Sequence, residues 1–292
     1  MGFFDIFSGG NNYEREERKR LKEEAEDYRR EARNTLSEAK DLYEDDYKEL
    51  KGETQRQINK LNDLIRSYSR YKADCLQELG GEINTTIENF KRFNISSRVV
   101  SMPTSNSTFS SNVSDIMSNI STSSFSSNIM PGGLNIISLV LSSMSDPYKD
   151  RDKALDQLYE AWDYLAKVQN AIAELKVVYN SLKNSRAYIE DEKTYLTQLV
   201  EKIRAIMPRL KSAMTKETFT EKEASTLQGV LKIAELIKKT LETQLSDKGG
   251  DISANYKKYS QKIRDINNLI PAQPVIESSS GWVEKILQIE VY

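Results

Sequence analysis

Histidine is absent from the 292 residues, and cysteine occurs once, at Cys75. The first absence removes the commonest general base, the histidine-based triads and every histidine metal site. The second rules out an intrachain disulfide, and Cys75 falls on an apolar helical stripe, where a thiol acts as a small core residue. No P-loop, GxGxxG, CxxC or HExxH pattern is present. Only carboxylates or lysines would remain for catalysis, and no pattern gathers them into a cleft. The sequence therefore reads as non-enzymatic, with no cofactor, no metal and no small-molecule substrate. Charge of one sign is lacking too: 42 Lys and Arg balance 44 Asp and Glu, a net of −2. Such a balance gives no general pull toward nucleic acid or anionic lipid. Hydrophobic content of 38% is low for a compact globule and suits helices that bury a stripe.

The charge itself is unevenly spread. It makes up 29% of the chain, yet between Val99 and Ser145 Asp115 is the only charged residue. Long, highly charged segments with helical periodicity lie on either side. Tyr13 to about Phe93 reads as one helix, free of proline, with Gly52 as its weak point before Gly80-Gly81. Its apolar stripe repeats every eleven residues: Ala32, Tyr43, Thr54, Ile65; Leu36, Tyr47, Ile58; Ala39, Leu50, Leu61. An eleven-residue repeat gives a nearly straight or slightly right-handed helix, about 120 Å long at 1.5 Å per residue. Such a rod needs a partner. After Pro147 a second helix is expected from about Lys149 to Met207, with Val168, Leu175, Leu182, Ile189, Leu196, Ile203 and Leu210 every seven residues. Leu155, Leu158, Trp162, Leu165, Ile172 and Tyr179 extend that stripe. The two stripes imply an antiparallel helical hairpin.

Pro208 should kink or end the second helix. Thr220 with Glu223 forms a capping-box pattern opening a third, with Leu227, Val230, Leu231, Ala234, Ile237, Leu241 and Leu245 on one face. Gly249-Gly250 would stop it, and a fourth helix follows from about Ile252 to Ile270. Trp282, Val283, Ile286, Leu287 and Ile289 mark a terminal element, helix or strand. The expected fold is all-α: an elongated helical bundle on a long antiparallel coiled-coil hairpin, an uncharged Ser/Asn-rich hydrophobic hairpin at one end. Its parts are an N-terminal anchor or plug (1–12), long helix 1 (13–94), the uncharged head or tongue (95–147), long helix 2 (148–212), two further helices (213–270) and a tail (271–292).

Within the uncharged stretch, Phe109, Val113, Ile116, Met117 and Ile120 fall at helical spacings. Pro131, Gly132 and Gly133 supply a hinge, and Leu134, Ile136, Ile137, Leu139, Val140 and Leu141 form an apolar limb. A β-tongue is the competing assignment. The apolar limb is shorter than the roughly 17–25 residues of a permanent span. Three roles stay open: a cap or solvated loop on the bundle, a sequestered hairpin released at a membrane, or a protein-docking surface. At the N-terminus, Phe3, Phe4, Ile6 and Phe7 crowd one side of a helical turn, followed by a Ser8-Gly9-Gly10 joint. They read as a small interfacial anchor or as a plug on the bundle. Neither a secretory signal nor an N-myristoylation motif fits this terminus, so the chain is expected to be made as a soluble cytosolic protein, with export or membrane association on activation left open.

The arrangement of Tyr13–Phe93, Val99–Ser145 and Lys149–Met207 with the helices after it resembles the α-helical pore-forming toxins of the cytolysin A and haemolysin BL type. That resemblance is architectural, covers most of the chain and rests on no signature motif. It implies a soluble monomer that releases its tongue at a membrane and oligomerises into a pore, with lipid and further copies, or a second helical protein, as partners. A short aromatic N-terminus ahead of a long charged helix is also similar to membrane-remodelling coiled-coil proteins of the ESCRT-III and phage-shock type. The alternative function is a cytoplasmic coiled-coil scaffold or adaptor that uses the same residues to hold a protein.

Overall fold

The computed structural model describes residues 5–92, 141–215, 220–245, 251–274 and 280–290. Helix α1 spans Asp5–Asp41, a π-helical turn covers Leu42–Tyr47, and α2 continues from Lys48 to Arg92. Helix α3 spans Pro147–Thr215, α4 Glu221–Glu242, α5 Ala254–Leu269 and α6 Ser280–Gln288. No strand occurs among the described residues, and the fold is an all-α helical bundle. The chain divides into two compact units, Met1–Arg56 with Met130–Asn180 and Gln57–Ile129 with Ser181–Tyr292, and α2 and α3 each contribute to both.

The sequence periodicities decide which faces are buried. Val168, Leu175, Leu182, Ile189, Leu196, Ile203 and Leu210 are all buried, as seven-residue spacing on a helix requires. On α1 and α2 the eleven-residue rows are buried or half-buried throughout. Helix starts use local chemistry. Asp146 caps α3, its carboxylate accepting from the Tyr148 N–H at 3.1 Å, with Pro147 in the first turn, where a missing N–H costs nothing. Thr220 and Glu223 form the expected capping box, the Thr220 N–H donating to Glu223 Oε2 at 2.5 Å.

The pairing of the long helices is parallel, not antiparallel. In the first unit Glu24 meets Arg151, Ala32 meets Leu158 and Ala161, and Ala39 and Tyr47 pack with Tyr164, Val168 and Leu175. In the second, Tyr68 meets Glu192, Glu78 meets Arg204 and Glu82 meets Lys211. Numbers rise together on both helices. An apolar stripe tells a helix that it has a partner but carries no direction, which is why the hairpin expectation fails.

Smaller differences have local causes. The helix at the N-terminus begins at Asp5 and runs through Gly9 and Gly10, where a joint was expected. The π turn at 42–47 re-phases the stripe so that Tyr47 is buried, with its ring stacked on Tyr43 at 5.3 Å. Helix α3 runs through Pro208 to Thr215, because Met207 and Leu210 are anchored in the core on both sides of the missing N–H. Helix α4 ends at Glu242 and is buried on more than one face, Ile233 and Leu236 joining the expected residues, as befits a central helix of its unit. The terminal element is a helix; Trp282, Val283 and Ile286 are buried, with Val283 and Ile286 close to Gly229 of α4.

Candidate functional site

Most of the residues singled out for membrane or partner binding fall outside the described residues: Phe109, Val113, Ile116, Met117, Ile120, Leu134, Ile136, Ile137, Leu139, Val140 and the hinge Pro131, Gly132 and Gly133. Phe3 and Phe4 do too, while Ile6 and Phe7 fall on the backbone of α1. Described is the root of the uncharged stretch, 141–146, in the first unit. Leu141 is half-buried against Ala32, Leu158 and Ala161. Three residues on, the Met144 N–H donates to the Asp150 carboxylate, which also accepts from the Arg29 guanidinium of α1. Arg29 and Asp150 are both nearly buried, and the hydrogen bond from Arg29 holds the Asp150 carboxyl below the usual carboxylate range, partly opposed by burial. Arg151 adds a bond from Nε to Glu24 at 3.1 Å. One carboxylate thus ties the chain leaving the uncharged stretch to two helices.

A second constellation lies in the other unit. Glu192 of α3 is 1% exposed, and its Oε1 accepts from the hydroxyls of Tyr68 on α2 and Tyr256 on α5 at 2.8 and 2.9 Å. Lys72 of α2, 2% exposed, donates to the Tyr256 hydroxyl at 2.6 Å and sits 3.9 Å from Glu192. Its ammonium stands 4.5 and 4.8 Å from the centroids of the Tyr68 and Tyr256 rings. Burial lowers the Lys72 pKa to about 8, against the pull of Glu192. Burial first and the Glu192 charge second push both tyrosines well above 10. Glu192 Oε2 is buried without a hydrogen-bond partner. A low-pKa lysine is a potential nucleophile, but this one is closed from solvent on every side. What the cluster does is pin three helices at one height.

Sequence reasoning missed it, although a signal existed. Lys72 stands eleven residues after Leu61 on the apolar row, and Glu192 sits three after Ile189 on the other stripe. A charge of opposite sign on each buried stripe marks a buried pair. Below it, Lys202 donates to the carbonyls of Asn267 and Ile270 at 2.6 and 2.8 Å, closing the C-terminus of α5.

No known protein family, curated protein or solved structure matches this chain. Among the described residues no group of three or more histidine, cysteine or carboxylate side chains is placed to hold a metal. An open groove of about 470 Å³ beside the π turn is lined by Asn34, Ser37, Glu38, Asp41, Leu42, Asp45 and Asp46, all from one continuous stretch of helix. No helix among the described residues is long and apolar enough to cross a membrane. Cys75 is buried, and burial raises its pKa, which leaves the thiol inert near neutrality. Trp162, expected on the packed stripe, is instead 43% exposed and lies edge-on to Tyr159 at 5.6 Å. The heptad passes through Ala161 and Leu158 there, which turns the indole outward.

Proposed function

We propose that this chain is a non-enzymatic, membrane-directed helical protein whose uncharged stretch, residues 99–145, engages lipid, with Phe109, Ile116, Ile120, Leu134, Ile137, Leu139 and Leu141 as the inserting residues. The observation that carries this reading is the contrast in charge: one acid between Val99 and Ser145 in a chain that is 29% charged. Hydroxyl and amide side chains cost far less to bring into an interface than lysines and glutamates do. The root supports it as well, because the tie at Leu141, Met144 and Asp150 fixes the start of α3 independently of what the stretch engages. The likeness to cytolysin A and haemolysin BL toxins leaned partly on an antiparallel pair of long helices. With the pair parallel, the reading rests on the uncharged stretch, and a pore is one form that the engagement could take.

The test is flotation and dye release with liposomes, zwitterionic and anionic, at neutral and acidic pH. The wild-type chain should float with vesicles. Leu139→Asp should weaken that association at least tenfold, since withdrawing a leucine from an apolar phase costs about 1.5–3 kcal/mol. Dye release would add pore formation; flotation without release would limit the role to surface binding. No association under any condition would sink the lipid reading and leave residues 99–145 as a protein-docking segment.

A further inference from the structure

Helix α5 is held to the long helices by polar side chains. Within it Tyr256, Ser260, Ile263, Ile266 and Asn267 are buried. The three polar ones all pair with α2 or α3. The Tyr256 hydroxyl joins Lys72 and Glu192, Ser260 hydrogen-bonds Tyr188 of α3, and Asn267 Nδ2 donates to Gln198 Oε1 of α3 at 2.9 Å. Two buried acceptors on this seam, Glu192 Oε2 and Asn267 Oδ1, have no hydrogen-bond partner among the described residues. Helix α4 is the contrast, since Thr226 and Thr240 are the only polar members of its buried set. All of these residues belong to the second unit.

We infer that α5 is a releasable arm of the second unit, undocking from α2 and α3 while α4 stays in place, with the Lys72–Glu192 pair as its latch. Apolar burial resists separation in proportion to area, whereas a hydrogen-bonded group that leaves the seam exchanges its partner for water and loses little. A helix with few buried apolar side chains therefore opens at a fraction of the global cost. The charge pair behaves differently. While both members are present, each offsets the burial of the other; with one removed, the survivor is stranded. Glu192 is the one charge acting on the Lys72 ammonium, and that ammonium reaches α5 through the Tyr256 hydroxyl. Departure of α5 strips Tyr256 from both charges and lets water in, so a stranded charge favours the open arm. This inference stands apart from the lipid reading, and its test contains no lipid.

Hydrogen exchange on the full chain at neutral pH, resolved by peptide, reads the arm directly. In the wild type, α5 amides should exchange about tenfold or more faster than those of α4. Glu192→Gln keeps an acceptor for both tyrosine hydroxyls and strands Lys72, so it should quicken α5 by a further factor of about ten or more and leave α4 little changed. Combining it with Lys72→Met removes both charges and should return α5 toward the wild-type rate, because neutral replacements of a buried pair are often tolerated. The double variant separates charge from shape, since it alters more of the site than the single one yet should be the better protected. Exchange of α5 in step with α4, an effect of Glu192→Gln that is absent or equal in both helices, or a double variant no slower than the single would each overturn the inference.

Discussion

Lys72 is the residue on which solution conditions act most directly. Its pKa is about 8 in the folded chain and near the ordinary lysine value of 10.5 when unfolded. Between those values the unfolded chain binds the extra proton, so this site makes stability rise as pH climbs from 8 toward 10. Its contribution is lost again as pH falls through 8, where the buried ammonium must be carried. Tyr68 and Tyr256, with raised values, act in the opposite sense: what they contribute is present below 10 and lost above it. Denaturant unfolding of wild type and Lys72→Met between pH 7 and 9.5 isolates the lysine. The wild type should gain on the variant by about 1–3 kcal/mol over that interval, and two parallel stability profiles would refute the assignment. The methionine variant should also be less stable at pH 7, by about 3–5 kcal/mol, because it leaves the Glu192 carboxylate buried without its cation.

At the scale of the element, the start of α3 is the place to probe. Pro147 and the Asp146 cap would begin this helix in any context, but Asp150 does something local propensity does not ask for. It turns inward to hold Arg29 and the Met144 N–H. Asp150→Asn keeps the shape and removes the charge, and should cost about 1–3 kcal/mol. Hydrogen exchange should quicken at residues 141–150 before it quickens elsewhere in α3; uniform protection would show that the tie is not what orders the root. Below pH 4, protonation of Asp150 should mimic the variant, since its depressed pKa gives stability that is present above the ordinary carboxylate value and lost as pH falls through the lowered one. Elements of this kind were legible in the sequence because their signals are local: the heptad of α3, the eleven-residue rows of α1 and α2, the Thr220–Glu223 box. The tie at Asp150 was not, because Arg29 and Asp150 lie more than a hundred positions apart and spacing along a chain does not say which distant residue will face it; for Lys72 and Glu192 the two charges were legible on their stripes, but the height at which they meet was not. Trp162 was misplaced for a related reason. A large apolar residue counts toward whichever stripe lies nearest, and only packing shows that the small Ala161 holds the core position.

At the scale of the whole molecule, the direction of the long helices controls every functional argument about the uncharged stretch. A hairpin would put that stretch at the shared tip of two rods. With the helices parallel within each unit, the start of α3 lies instead beside Glu24 and Arg29 of α1. The two arrangements pair different residues. Glu78 and Arg204 make a two-pronged contact, at 2.9 and 2.5 Å, only when numbers rise together on α2 and α3. Cysteines at these two positions, in a Cys75→Ser background, should therefore be joined by a short bismaleimide linker within one chain. The linked product should run as a monomer, unfold at a higher denaturant concentration than the unlinked chain, and yield a single cross-linked peptide pair on digestion. A hairpin with its turn in the middle of the uncharged stretch would instead bring position 78 close to Trp162, and the same linker would then fail at 78 and 204 while joining 78 to 162. Because both positions are surface-exposed and their salt bridge is worth at most about 1 kcal/mol, the substitutions leave the fold standing, and the yield of linked product reads helix direction alone.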